Sequence, residues 1–437
     1  MKLAVVVQRY GSDIGGGSEL HARYIAEHLA AHADVRVLTT CARDYVTWRN
    51  EYPPGEERVN GIPVERFPVA RQRDTRDFAR RSSFVFQHQH SFEDELSWLD
   101  AQGPVSPGLL ARVESARRDF DFVVAFTLRY HTAYHAARLS PGRAVLVPTT
   151  ERDPAMGLAI VGPALRGARG IMYNSPEERA ALEAVAGTTD VPGVTVGVGS
   201  DVPSASDPSR ARRLFDLANP FIVYVGRIDA NKGCEDLFDY FLRFCARTER
   251  TLDLVLIGTP VLPIPDHPRI RHLGYVTDQD KFDVIAAAEA LVMPSPFESL
   301  SMVALEAWAL ARPVLANGRC DVLAGQCQRS NAGLYYMDGR EFEAMLETML
   351  DRPEVSSRMG QNGRAFYAAN YAWPVIEGKY LRMLDRLAQT PVPAAAPPAL
   401  PGWFSRRRRR LPPAETVVAA LPRGPVHDRA ESASRAS

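Results

Sequence analysis

Short continuous apolar runs alternate along this chain with longer stretches whose apolar residues return every three to four positions. Residues 3–7 form the first run, and Leu20, Tyr24, Ile25 and Leu29 follow at helical spacing between positions 19 and 31. Residues 35–39, 122–126, 144–147 and 170–173 are further runs of the buried-strand kind, with helical stretches between them. A second series begins after position 220, with strands expected at 221–225, 252–257, 270–273, 290–292 and 313–316. Alternation of this kind predicts parallel, doubly wound α/β sheets. Two such series predict two Rossmann-like halves, whose ligands bind outside the carboxyl ends of the strands, in the cleft between the halves.

The alternation lapses twice. Between about 66 and 119 it gives way to a charged helical insertion, with Arg66, Arg71, Arg73, Arg76, Arg80 and Arg81 ahead of an acidic run at 93–95. From 192 to 209 a Gly/Pro/Ser-rich stretch predicts the connection between halves.

The chain has 437 residues, with 52 Lys+Arg against 52 Asp+Glu and 46% hydrophobic residues. That composition is globular, and the balanced charge argues against a nucleic-acid binder. The balance hides a split, because 391–437 carry eight arginines against three acids and so a net +5, leaving −5 for the first 390 residues. This end also holds nine prolines, so residues 389–437 are expected to be a disordered, basic, Pro-rich tail. Its Trp403 and Phe404, followed by Arg406, Arg407, Arg408, Arg409 and Arg410, suit peripheral contact with an anionic membrane. Five scattered cysteines form neither a C-x-x-C nor a zinc-ligand pattern, and no run approaches a membrane span or a signal-peptide core. A cytoplasmic protein is expected, at most peripheral at the inner membrane face.

Three motifs carry chemistry. Gly15-Gly16-Gly17-Ser18-Glu19 joins the first strand to its helix, where glycines admit a ligand close to the backbone and a helix start favours anions. Tyr224-Val225-Gly226-Arg227, continuing to Lys232-Gly233, sets two cations in the loop after the first strand of the second half, suited to a diphosphate. The third motif spans 294–317. With a helix starting near Glu298, Glu298 and Glu306 fall within about 80° and ~12 Å of each other, and the N–H groups of Ser299, Leu300 and Ser301 face a phosphate between them. Glu306 shares its helix face with Val303, Ala307 and Leu310, so its burial asks for a partner.

With these motifs the chain resembles the retaining glycosyltransferases of the GT-B fold, in the family-four group (glycosyl transferases group 1). The resemblance covers about residues 1–388. It implies an N-terminal acceptor domain at 1–195 with the insertion at about 66–119, a nucleotide-sugar domain at 196–372, and a helix at 373–388 crossing back to the first half. It further implies that Arg227 and Lys232 hold the donor diphosphate, Glu298 the donor sugar and Glu306 the ribose hydroxyls. Gly16, Gly17 and Gly226 would approach the donor, and the base would lie against backbone at Gly274, Tyr275 and Val276. The family often carries a first-domain histidine near the donor sugar. Here that stretch holds Glu151 and Asp153 instead, with His131 as a substitute.

The expected activity is metal-independent, cofactor-free, retaining transfer from a nucleotide sugar to a saccharide or lipid-linked acceptor, in polysaccharide, cell-envelope glycan or glycolipid synthesis. Asp119-Phe120-Asp121 and Asp278-Gln279-Asp280 match the D-x-D of metal-dependent transferases but sit at a helix-to-strand junction and a helix start. Two alternatives stay open: an inactive transferase-like scaffold or partner-binding subunit, and a GT-B epimerase or phosphorylase.

Overall fold

The computed structural model describes residues 1–115, 119–151, 153–392 and 414–419. The first sheet runs β3 (Gly55–Val59), β4 (Ile62–Phe67), β2 (Asp34–Thr40), β1 (Lys2–Val6), β5 (Phe122–Phe126), β6 (Ala144–Val147), β7 (Gly170–Tyr173) and β8 (Gly193–Thr195). The second runs β11 (Ile270–Gly274), β10 (Asp253–Ile257), β9 (Phe221–Val225), β12 (Ala290–Met293), β13 (Val314–Asn317) and β14 (Gly333–Tyr336). Every pairing in the second sheet is parallel, in the Rossmann order third, second, first, fourth, fifth, sixth. The first sheet repeats that order from β4 to β7, with β8 added parallel at one edge and β3 antiparallel at the other.

Both faces of each sheet are covered, which is why the strands read as continuous apolar runs. Leu3 and Val5 enter a core shared with the helix Gly17–Leu29, while Ala4 and Val6 enter one shared with Trp98, Tyr134 and Leu165. The second sheet likewise buries Val223 on one side and Ile222 with Phe241 and Phe342 on the other.

The β3–β4 hairpin was not anticipated. Its outer strand, Gly-Glu-Glu-Arg-Val, is largely exposed and shows no apolar alternation. The turn did carry a signal, since Asn60 (φ 48°) and Gly61 (φ 82°) form the paired left-handed turn that Asn-Gly favours. Arg66 therefore belongs to a strand rather than to a solvated insertion. It is 2% exposed, bonded to Glu57 Oε1 at 2.5 Å and set over the Tyr52 ring. The insertion consists of the helices Thr75–Gln87, Phe92–Gln102 and Pro107–Ser115. β8 lies inside the stretch read as connecting segment, and β14, Gly-Leu-Tyr-Tyr with only Tyr336 buried, does not stand out as a continuous aliphatic run.

The helix Trp373–Gln389 returns to the first sheet. Met383 and Leu387 close over Gly170, Arg169 Nη2 donates to Leu387 O at 2.6 Å, and His28 stacks on Trp373 at 3.5 Å while bonding Glu377 at 2.8 Å. No helix among the described residues is long and apolar enough to cross a membrane. The proposed membrane contacts Trp403, Phe404 and Arg406 to Arg410 lie outside the described residues.

Candidate functional site

A cavity of about 550 Å³ opens at the carboxyl ends of both sheets. The first half contributes the Gly15–Gly17 turn after β1, Thr127 and Arg129 after β5, and Thr149, Glu151 and Asp153 after β6. The second half contributes Gly226, Arg227 and Lys232 after β9, and Glu298 to Val303 with Glu306 after β12. β1/β5 and β9/β12 are the pairs at which strand order reverses, the places where adjoining loops part to leave a crevice.

In the second half the cations and carboxylates are already paired. Lys232 Nζ donates to Glu298 Oε1 at 2.7 Å. Burial opposes the ammonium charge, but Glu298, with help from Glu151, outweighs it and holds the Lys232 pKa above its ordinary value. Arg227 bonds Asp229 and reaches across the cleft to the Tyr45 hydroxyl at 3.2 Å. Glu306 is 3% exposed. Its Oε1 accepts from Ser200 Oγ at 2.7 Å and Lys281 Nζ at 3.0 Å, whereas its Oε2 is buried without a partner. A half-satisfied carboxylate at a cavity wall is an acceptor awaiting a donor group.

The helix expected to start near Glu298 spans Met302–Ala309 instead. Ser301, at φ 69°, caps it by accepting from Ala304 N at 3.3 Å. Glu298 therefore sits in a loop after β12, and the helical geometry inferred for the Glu298–Glu306 pair does not apply. Ser-Pro-Phe ahead of Glu298 resists helix, which is the local reason. Ser299, Leu300 and Ser301 still border the cavity.

In the Gly-rich turn, Glu19 does not border the cavity. It forms a buried ion pair with Arg9 at 2.6 Å, and Arg9 Nη1 in turn holds Arg43 O. A Cβ on Gly16 would lie 2.2 Å from Glu19 Oε2, whereas one on Gly17 meets nothing within 4 Å. Gly16 is thus required by packing, and Gly17 leaves the backbone open to the cavity.

His131 does not face the cleft. It starts the helix His131–Leu139, is 6% exposed, and lies against Asp100 of the insertion. Glu151 and Asp153 do border the cavity. Asp153 accepts from Arg129 at 2.5 Å. Glu151 opens into the cavity, yet desolvation between its walls, opposed by Lys232 and reinforced by the Glu298 and Asp153 carboxylates, pushes its pKa up to about 7. Gly274, Tyr275 and Val276 do not border the cavity; Tyr275 is 91% exposed at the end of the edge strand β11. The D-x-D acids lie elsewhere too. Asp280 pairs with Arg210, Asp278 with Lys281, Asp119 with Arg112, and Asp121 accepts from the Lys2 backbone.

Several wall residues had no motif to betray them. His21 is buried edge-on to Phe126, and burial drives its pKa down to about 3, so the ring stays neutral. Lys281 meets Glu306 through a fold contact 25 residues apart. Asn174 lines the cavity with a buried, unpartnered Oδ1. Thr127 and Thr149 take φ values of 65° and 48° at the ends of β5 and β6 and bond each other at 2.8 Å. Such non-glycine left-handed residues cost about 1–3 kcal/mol each and gather at functional clefts.

Comparison with known proteins agrees with this geometry. Residues 219–351 match the family model described as glycosyl transferases group 1. The alpha-D-kanosaminyltransferase of Streptomyces kanamyceticus is 29% identical over 170 residues, 35% of this chain and 42% of that protein. The D-inositol 3-phosphate glycosyltransferase of Corynebacterium efficiens is 28% identical over 186 residues, 39% and 43% respectively. The chain thus spans less than half the length of these curated relatives. Among solved structures, Anabaena HepE superposes with a TM-score of 0.64 at 19% identity, covering 88% of this chain and 100% of that one. The glycosyltransferase WaaG gives 0.58 at 15% identity, with 89% and 100% covered. The chain therefore has the GT-B fold, and residues 219–351 of its second Rossmann-like half are similar to the glycosyl transferases group 1 family.

Proposed function

We propose that this protein transfers a sugar from a nucleotide-sugar donor to an acceptor hydroxyl with retention of anomeric configuration and without a metal. The observation that carries the reading is one cavity wall holding Lys232 on Glu298 and, beside them, Glu306 with a buried, unfilled acceptor oxygen. Two of the solved neighbours support a uridine nucleotide as donor class, one being HepE in complex with UDP-glucose, the other the trehalose-6-phosphate enzyme of E. coli bound with UDP-2-fluoro glucose. A saccharide or lipid-linked acceptor fits the WaaG likeness, since that enzyme acts in lipopolysaccharide biosynthesis.

In this reading the diphosphate draws Lys232 off Glu298 and recruits Arg227, leaving Glu298 for the sugar hydroxyls and Glu306 Oε2 for a ribose hydroxyl. As the bond between the anomeric carbon and the phosphate oxygen breaks, the two cations stabilise the charge that develops on the leaving group. The acceptor oxygen bonds the same face of that carbon, and its proton passes to the departing phosphate oxygen. Glu151, with its raised pKa, is positioned to hydrogen-bond the sugar where the family's histidine is absent.

The test is thermal stabilisation by a panel of nucleoside diphosphates, followed by NMR of the product's anomeric centre. Stabilisation of ~2.7 kcal/mol is expected at 100 times Kd. No response to any nucleotide would overturn the donor site, and an inverted product would overturn retention.

A further inference from the structure

We propose that Asp100, His131 and His135 form a site for one divalent transition metal of the zinc type, outside the donor cavity. His131 and His135 are four residues apart on the helix His131–Leu139, so both imidazoles project from one face. Asp100, near the end of the helix Phe92–Gln102, meets that face, with His131 Nε2 3.4 Å from Asp100 Oδ1.

One ligand atom from each of the three lies within 4.8 Å of the others. A tetrahedral ion bonding nitrogen and oxygen at ~2.0–2.1 Å would draw them to about 3.3 Å, a movement within side-chain reach. Two imidazoles and a carboxylate form a donor set that zinc prefers, and the fourth position is left to water.

His131 is 6% exposed, with Nε2 rather than Nδ1 turned to Asp100. Asp100 also borders a second cavity of about 310 Å³, formed by Trp48, Arg71, Arg73 and the insertion helices, which gives an ion and its water a route in. Arg71 approaches Asp100 Oδ2 at 3.9 Å, but both are more than half exposed and the arginine can swing clear. The ion would pin the insertion to the helix that follows Arg129 and Tyr130, two residues of the donor-cavity wall. Its role is therefore to fix the insertion, and it takes no part in transfer.

The full chain, stripped with chelator, is titrated with Zn²⁺ and with Co²⁺. We expect one ion per chain, a higher melting temperature, and the intense visible bands of tetrahedral cobalt. His135→Gln and Asp100→Asn should weaken binding more than about 100-fold, since losing even a residue behind a ligand costs about 10–100-fold. Their metal-free melting temperatures should stay at the parent value, and His88→Ala, an exposed histidine of the insertion, should bind as the parent does. Absence of binding at micromolar metal, or binding by His135→Gln as tight as the parent's, would overturn the site.

Discussion

Lys232 and Glu298 meet at the point where the second sheet reverses its strand order, Nζ to Oε1 at 2.7 Å, one from the loop after β9 and the other from the loop after β12. Sixty-six residues separate them in the chain. The pair neutralises two groups that donor binding would need separately.

From that pairing the two substitutions should part company. Lys232→Met should weaken nucleoside diphosphate binding and lower turnover about 10²–10³-fold, the usual loss for one preorganised charge-stabilising donor. Glu298→Gln should leave nucleotide affinity at or above the parent's while turnover falls, because the lysine is freed and the sugar contact is lost. Calorimetric titration with the diphosphate beside initial rates separates these patterns. Equal losses of both quantities in both variants would contradict the assignment.

Glu306→Gln should raise the donor KM. A hydrogen bond to a charged group contributes about 1.5–3 kcal/mol, or roughly 10- to 150-fold. The check is a donor lacking a ribose hydroxyl. The parent should lose by a similar factor on that analogue and the variant should lose little more, since the same contact is removed from either side.

Glu151 should impose a pH dependence near neutrality. Its folded pKa of about 7 lies above the ordinary carboxylate value of 4.5. Between those values the folded chain keeps a proton that the unfolded chain has released, so this group's contribution to stability is full below about pH 4.5 and is lost as pH rises through 7. The melting temperature of the parent relative to Glu151→Gln should therefore fall from pH 5 to pH 8. The same substitution should remove a limb near pH 7 from the kcat profile. A pH-independent difference would place the carboxyl back in the ordinary range.

Gly16→Ala and Gly17→Ala should differ sharply despite being neighbours. The Gly16 Cβ would press on the Glu19 carboxylate that pairs with Arg9, so Gly16→Ala should destabilise by about 0.5–3 kcal/mol. Gly17→Ala should stay within about 0.5 kcal/mol of the parent, as there is open space around it, yet reduce donor or acceptor binding by narrowing the cavity. Denaturant melts and KM measurements on both variants test this.

Much was written in local pattern. Residues 122–126, 144–147, 170–173 and 221–225 appear as strands with the expected ends, because strands buried on both faces admit little but apolar residues. The cations of the 226–233 loop and the two glutamates after β12 were also legible, since each follows a strand end where such sheets bind ligands. What local pattern could not decide was which way a side chain points once the loops close. Glu19 turns to Arg9, His131 turns to Asp100, and Glu298 leaves the helix it was assigned to. Lys281 and Asn174 enter the cavity wall only through packing between elements distant in sequence. Two doubly wound halves and the charges at their strand ends are legible along the chain, because burial and the strand period are local constraints. The pairing of those charges, the empty acceptor on Glu306 and the meeting of His131 with Asp100 of the insertion were decided by tertiary structure, because each depends on contacts between segments 25 to more than 100 residues apart.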